Sequence, residues 1–231
     1  NRRFGAPLYL VGESYGTTRG AAIADRLLAM GLAVSGVMLV SCAMDLQSLV
    51  FAPGNDLPYA LFLPGFAHVA QYHGLLGGTA GASPEAARAA AEAFVAEEYL
   101  AALYLGARLD GDRRRRIEKR LVELTGLNDS VVRDANLRIS DQTFFFEALR
   151  DRGLQVGRLE ARVAGPLGAA RGRAWEFDPG SEALSGPYTT AALAYFAELG
   201  IPLEQRYETL SLDVHRAWKW RRKGAHDSHG G

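Results

Sequence analysis

Gly12-Glu13-Ser14-Tyr15-Gly16 sets a hydroxyl, a carboxylate and two glycines within five residues. A serine can attack a carbonyl carbon, hold the acyl group as an ester and release it to water, provided a base takes its proton and N–H donors meet the developing oxyanion. The G-x-S-x-G spacing supplies the geometry for this: a turn tight enough to need small flanking residues, with the serine projecting outward. With glycine near 7% of average usage, such a pattern arises by chance in roughly one chain of this length in ten. Placement therefore decides its meaning.

The surrounding elements give the motif its setting. Pro7-Leu8-Tyr9-Leu10-Val11 is a short apolar run ending at a glycine, which predicts a strand buried on both faces of a parallel sheet. From 17 to 30, Ala21, Ile23, Ala24, Leu27 and Leu28 recur at spacings of three and four, with Gly31 as the stop, which predicts a helix. Residues 34–41 read as a second buried strand. Strand, turn, helix and strand make a right-handed βαβ unit, and Ser14 falls on its strand-to-helix turn. The competing reading of Ser14 is a glycine-flanked turn serine that caps the helix.

Beyond Cys42 the prolines and glycines Pro53, Gly54, Pro58, Pro64 and Gly65 predict a loop region. Ser83-Pro84-Glu85 predicts a helix start, with an Ala-rich helix running to about 105. Helices are further expected over 112–124, 130–136, 141–151 and 189–199, with a strand and turn-rich loop over 157–172. The run Arg113-Arg114-Arg115-Arg116 reads as a solvated helix face. We expect three segments: 1–52 as part of an α/β core, 53–200 as a mainly helical cap with connecting loops, and 201–231 as a return segment and tail.

Composition narrows the class. The 231 residues are 48% hydrophobic and 23% charged, a globular composition, and Lys plus Arg balance Asp plus Glu at 26 each, so no global field favours nucleic acid or an anionic membrane. No apolar run reaches the roughly 20 residues of a membrane span. Cys42 is the only cysteine, so no internal disulfide can form; its place after an apolar run predicts a small buried hydrophobe. Compartment stays open between periplasmic or secreted and cytoplasmic. The five histidines lack H-E-x-x-H spacing, and P-loop and dinucleotide motifs are absent, so neither metal nor cofactor is expected. His68 and His73 are expected to pack rather than line a pocket.

Gly12-Glu13-Ser14-Tyr15-Gly16 followed by Thr17-Thr18-Arg19-Gly20-Ala21-Ala22 resembles the serine carboxypeptidases, peptidase family S10, in their bacterial branch. The stretches Asn136-Leu137-Arg138-Ile139, Val156-Gly157-Arg158-Leu159-Glu160-Ala161-Arg162 and Gly186-Pro187-Tyr188-Thr189 extend the resemblance. It implies an α/β-hydrolase core, a partial parallel sheet, with a mainly helical cap insertion, and hydrolysis of C-terminal peptide bonds through an acyl-enzyme on Ser14. The implied partner is a peptide with a free C-terminus. Tyr15 would supply a backbone N–H to the oxyanion hole, Glu13 would help bind the substrate's terminal carboxylate through a shared proton, and Gly12 and Gly16 would form the elbow. The competing reading of Glu13 is a solvated or locally capping residue.

The family's triad runs Ser, acid, His along the chain, and no suitable later strands follow here. His215, His226 and His229 read as surface or linker residues, so the triad Asp and His are expected outside this chain. An opening without Met just ahead of a strand gives the same expectation, an internal piece that is inactive alone. Trp175, Tyr188, Trp218 and Trp220 are pocket candidates, though core packing is the commoner role. An esterase or acyltransferase on the same scaffold, or a non-catalytic binding protein, are the alternatives.

Overall fold

The computed structural model describes residues 5–169, 177–202, 204, 206–209, 211, 213 and 217. The chain is mixed helix and sheet and divides into two compact units, Asn1–Ala148 and Leu149–Gly231.

The first unit opens with the βαβ unit read from the sequence. Strand β1 (Tyr9–Glu13) leads through Ser14 into helix α1 (Tyr15–Ala29), and β2 (Gly36–Val40) returns parallel to β1, with Tyr9 opposite Gly36 and Glu13 opposite Val40. The strands are not buried on both faces as expected. Tyr9 is 58% and Val11 66% exposed, and Val37 to Val40 are all exposed, because among the described residues this sheet has only two strands and α1 is the helix packed on both. Cys42 is likewise exposed rather than buried, for it follows β2 in a loop whose inward residue is Ala43.

The remainder of this unit is helical. Residues 57–72, expected to be loop, form helix α2 (Leu57–Tyr72). Pro58 lies in the first turn, where no intrahelical N–H bond is lost, and only Pro64 breaks the ladder. Burial of Ala60, Leu63, Ala67 and Ala70 along one face outweighs that single bond. Helix α3 (Pro84–Phe94) starts as predicted, Ser83 accepting a hydrogen bond from the Ala86 amide at 3.1 Å. Its buried Ala87 and Ala91 let it lie close against α2. A π-helical turn over Val95–Tyr99 joins it to α4 (Leu100–Leu105). Helix α5 (Gly111–Thr125) buries Ile117, Leu121 and Leu124, while Asp110 caps its start and Asp112 pairs with Arg115, offsetting the arginines at the positive end of the helix dipole. Short helices α6 (Asp129–Asp134) and α7 (Asp141–Glu147) complete the unit, and Phe144 stacks on Phe66 at 4.4 Å.

Asn136-Leu137-Arg138 forms a tight link between α6 and α7. Asn136 and Leu137 both have left-handed backbones, at φ 48° and 69°. The buried Tyr99 hydroxyl donates to the Leu137 carbonyl, and Arg138 grips Asp56 through two bonds of 2.7 and 2.8 Å. This segment is thus a structural clamp on the helical block.

The second unit holds a short antiparallel hairpin, β3 (Leu154–Val156) with β4 (Ala164–Pro166), and the long helix α8 (Pro179–Glu198). Helix α8 begins ten residues before the predicted 189, because Asp178 caps it, accepting from the Ser181 amide at 3.0 Å, and Pro179 sits in its first turn. Among the described residues no helix is long and apolar enough to cross a membrane.

Candidate functional site at the first strand-to-helix turn

Ser14 has φ 52° and ψ −123°, a combination outside the left-handed helical well and strained for any residue with a Cβ. The chain accepts it because both backbone groups of Ser14 are held. Its N–H donates to the Val40 carbonyl at 2.9 Å, and its carbonyl accepts from the Thr17 N–H at 3.0 Å and the Thr17 hydroxyl at 2.6 Å. The residue is exposed, and its side chain makes no capping bond to α1. Ser14 is therefore not a helix cap: its backbone is fully engaged while its hydroxyl is left to face solvent.

The two flanking glycines differ in function. A Cβ on Gly12 would lie 2.1 Å from the Gly16 carbonyl oxygen and 2.5 Å from its carbon, so the turn folds back until the two backbones touch. A Cβ on Gly16 would meet nothing within 4 Å. The symmetrical spacing thus has an asymmetrical cause, with Gly12 required by contact and Gly16 not. Glu13, at the end of β1, and Tyr15, 59% exposed at the first position of α1, both stand at the surface beside the serine. The amides of Tyr15 and Gly16 open the helix, where no intrahelical acceptor exists.

The sequence reading missed the loop that follows β2. Ser41 is left-handed at φ 49°, and Ala43 is tied to α1 twice: its N–H donates to the Thr17 hydroxyl at 2.9 Å and its carbonyl accepts from the Thr18 hydroxyl. The two consecutive threonines in the first turn of α1 were the available signal.

The remaining candidates lie elsewhere. His68 does not pack into the core: half-buried, it lines an open groove of about 480 Å³ with Leu61 and Pro64 of α2 and Arg88 and Glu92 of α3. His73 ends α2 edge-on to Tyr72. Tyr188 is 62% exposed on α8, so it is not a core aromatic, and Trp175, Trp218, Trp220, His215, His226 and His229 lie outside the described residues. Among the described residues no group of three or more His, Cys, Asp or Glu is placed to hold a metal ion.

In the second unit, Gly157 and Gly180 mark a close crossing of two segments: a Cβ on Gly157 would lie 2.6 Å from the Glu160 carbonyl oxygen and 2.8 Å from the Gly180 nitrogen. Two bonds from the Arg162 guanidinium, then one from the Arg162 amide, hold the Glu160 carboxyl down at about 2. A depressed acid of this kind contributes stability that is present above the ordinary carboxylate range near pH 4.3 and is lost as pH falls towards 2. Arg162→Ala is expected to return Glu160 to the ordinary range, as followed by NMR titration of its carboxyl carbon.

Comparison with family models, with curated proteins and with solved structures returns no match for this chain.

Proposed function

We propose that this chain carries the nucleophile of a serine-type carboxypeptidase, an α/β hydrolase whose parallel sheet includes β1 and β2 and whose cap includes the helices from α2 onward. The observation that carries the reading is the backbone of Ser14, strained at φ 52° between a parallel strand and a helix, with its hydroxyl exposed and unused by the helix. A strained serine at this position is what an acyl-transfer nucleophile needs: the turn lifts the hydroxyl clear of the sheet and sets the first amides of α1 beside it.

In this reading Ser14 attacks the scissile carbonyl, the Tyr15 N–H donates to the oxyanion, and water then releases the acyl group. Glu13 binds the terminal carboxylate of the peptide, one carboxyl sharing a proton with the other. The imidazole that accepts the Ser14 proton and its supporting acid come from residues outside the described set. No metal or cofactor enters the scheme.

The test has two arms. The complete gene product should react with a fluorophosphonate at Ser14, as mapped by peptide mass analysis; no adduct there would sink the nucleophile assignment. Glu13→Gln should then slow cleavage of peptides with free C-termini about tenfold or more, while neutral ester hydrolysis changes little. Equal loss on both substrates would favour an esterase or acyltransferase on the same scaffold.

A further inference from the structure

We propose that Thr17 is the positioning residue for this site, holding the Tyr15 amide on the oxyanion by coupling Ser14 to the loop after β2. The inference rests on the serine-nucleophile reading and adds to it a residue whose side chain need not touch substrate. Thr17 is fully buried, and its single hydroxyl serves two partners: it donates to the Ser14 carbonyl at 2.6 Å and accepts from the Ala43 N–H at 2.9 Å. The first bond alone would be an ordinary local contact of a helical threonine with the preceding turn. The second comes from 26 residues away and has no local explanation.

Taken with the bond from the Ser14 N–H to the Val40 carbonyl, these contacts bracket Ser14 between two points on one short segment. Val40 holds its nitrogen side and Ala43, acting through Thr17, holds its carbonyl side; the left-handed Ser41 makes the bend that lets one segment reach both. The consequence follows from peptide planarity. The Ser14 carbonyl and the Tyr15 N–H belong to the same rigid unit, so whatever fixes the direction of that oxygen fixes the direction of the amide. A Thr17 hydroxyl that pulls the oxygen inward aims the Tyr15 N–H the opposite way, and without it the peptide has only the Thr17 amide to orient it.

Such a residue acts in the transition state, where the oxyanion forms, rather than in ground-state binding. Thr17→Val, which keeps the shape and removes the hydroxyl, is expected to slow fluorophosphonate labelling of Ser14 at least tenfold, or about 1.4 kcal/mol of barrier, with kcat lowered and KM unchanged. Thr17→Ser keeps the hydroxyl and should recover most of the rate. Thr18→Val removes the bond to the Ala43 carbonyl without touching Ser14, so it should lower the melting temperature comparably yet label within about twofold of wild type.

Equal slowing in Thr17→Val and Thr18→Val would overturn the proposal, as it would reflect general loosening of the loop. Wild-type rates in Thr17→Val would also overturn it. Failure of the unaltered complete gene product to label would instead remove the nucleophile reading. In that event hydrogen exchange still decides the geometric claim: Thr17→Val should speed exchange in a peptide spanning the turn, and unchanged exchange refutes the coupling.

Discussion

Ser14→Gly is expected to give a protein that is more stable than the wild type and unable to react with a fluorophosphonate. The backbone of Ser14 lies at φ 52° and ψ −123°, where a Cβ costs on the order of 1–3 kcal/mol and glycine pays no such penalty. Glycine also gains freedom in the unfolded chain, which takes back roughly 0.5–1 kcal/mol. The balance favours the variant by about 1 kcal/mol, measurable as a higher urea midpoint at unchanged slope. Ser14→Ala separates the two effects, because it loses the hydroxyl but keeps the strain, so it should be unreactive with stability close to wild type. A protein that loses stability on Ser14→Gly would show that this backbone is not strained, and the functional reading would lose its main support.

The opposite outcome is expected two residues earlier. Gly12→Ala places a methyl group 2.1 Å from the Gly16 oxygen and 2.9 Å from the Thr17 nitrogen. Both are backbone atoms at the start of a 15-residue helix, so relief requires α1 to move off β1 rather than a side chain to rotate. Overpacking that side chains can partly absorb costs about 1–3 kcal/mol, and here no side chain is available to give way. We expect a loss above about 3 kcal/mol by urea unfolding, with labelling at Ser14 abolished even in conditions where the rest of the unit stays folded. Gly16→Ala, for which the added atom meets nothing, is the matched control and should be neutral or stabilise by up to about 1 kcal/mol, as Ala favours helix over Gly.

Several features are legible in the amino-acid sequence. The βαβ unit and the Ser83-Pro84 helix start each follow from local chemistry, period in the first and cap in the second. Local rules failed where packing overruled them. Residues 57–72 contain Pro58, Pro64 and Gly65, and counting breakers predicts a loop. Ala60, Leu63, Ala67 and Ala70 nevertheless lie along one helical face, and their burial is worth more than the hydrogen bond Pro64 removes. The apolar strand residues fail in the other direction. Their composition reads as buried on two faces, yet Tyr9 and Val11 are exposed, because hydrophobicity states what a residue would bury and not whether a neighbour is there to cover it.

The candidate site divides along the same line. The sequence by itself determined that a serine sits between glycines where a strand meets a helix, since short-range spacing sets both the strand and the helix. Only the tertiary structure decided that Ser14 is strained, that its hydroxyl is not a cap, that Gly12 and not Gly16 is sterically required, and that Thr17 ties the turn to Ala43. The reason is range: propensity and periodicity act over a few residues, whereas the contacts that fix Ser14 come from a segment 26 to 29 positions away along the chain, brought alongside by the parallel pairing of β1 with β2.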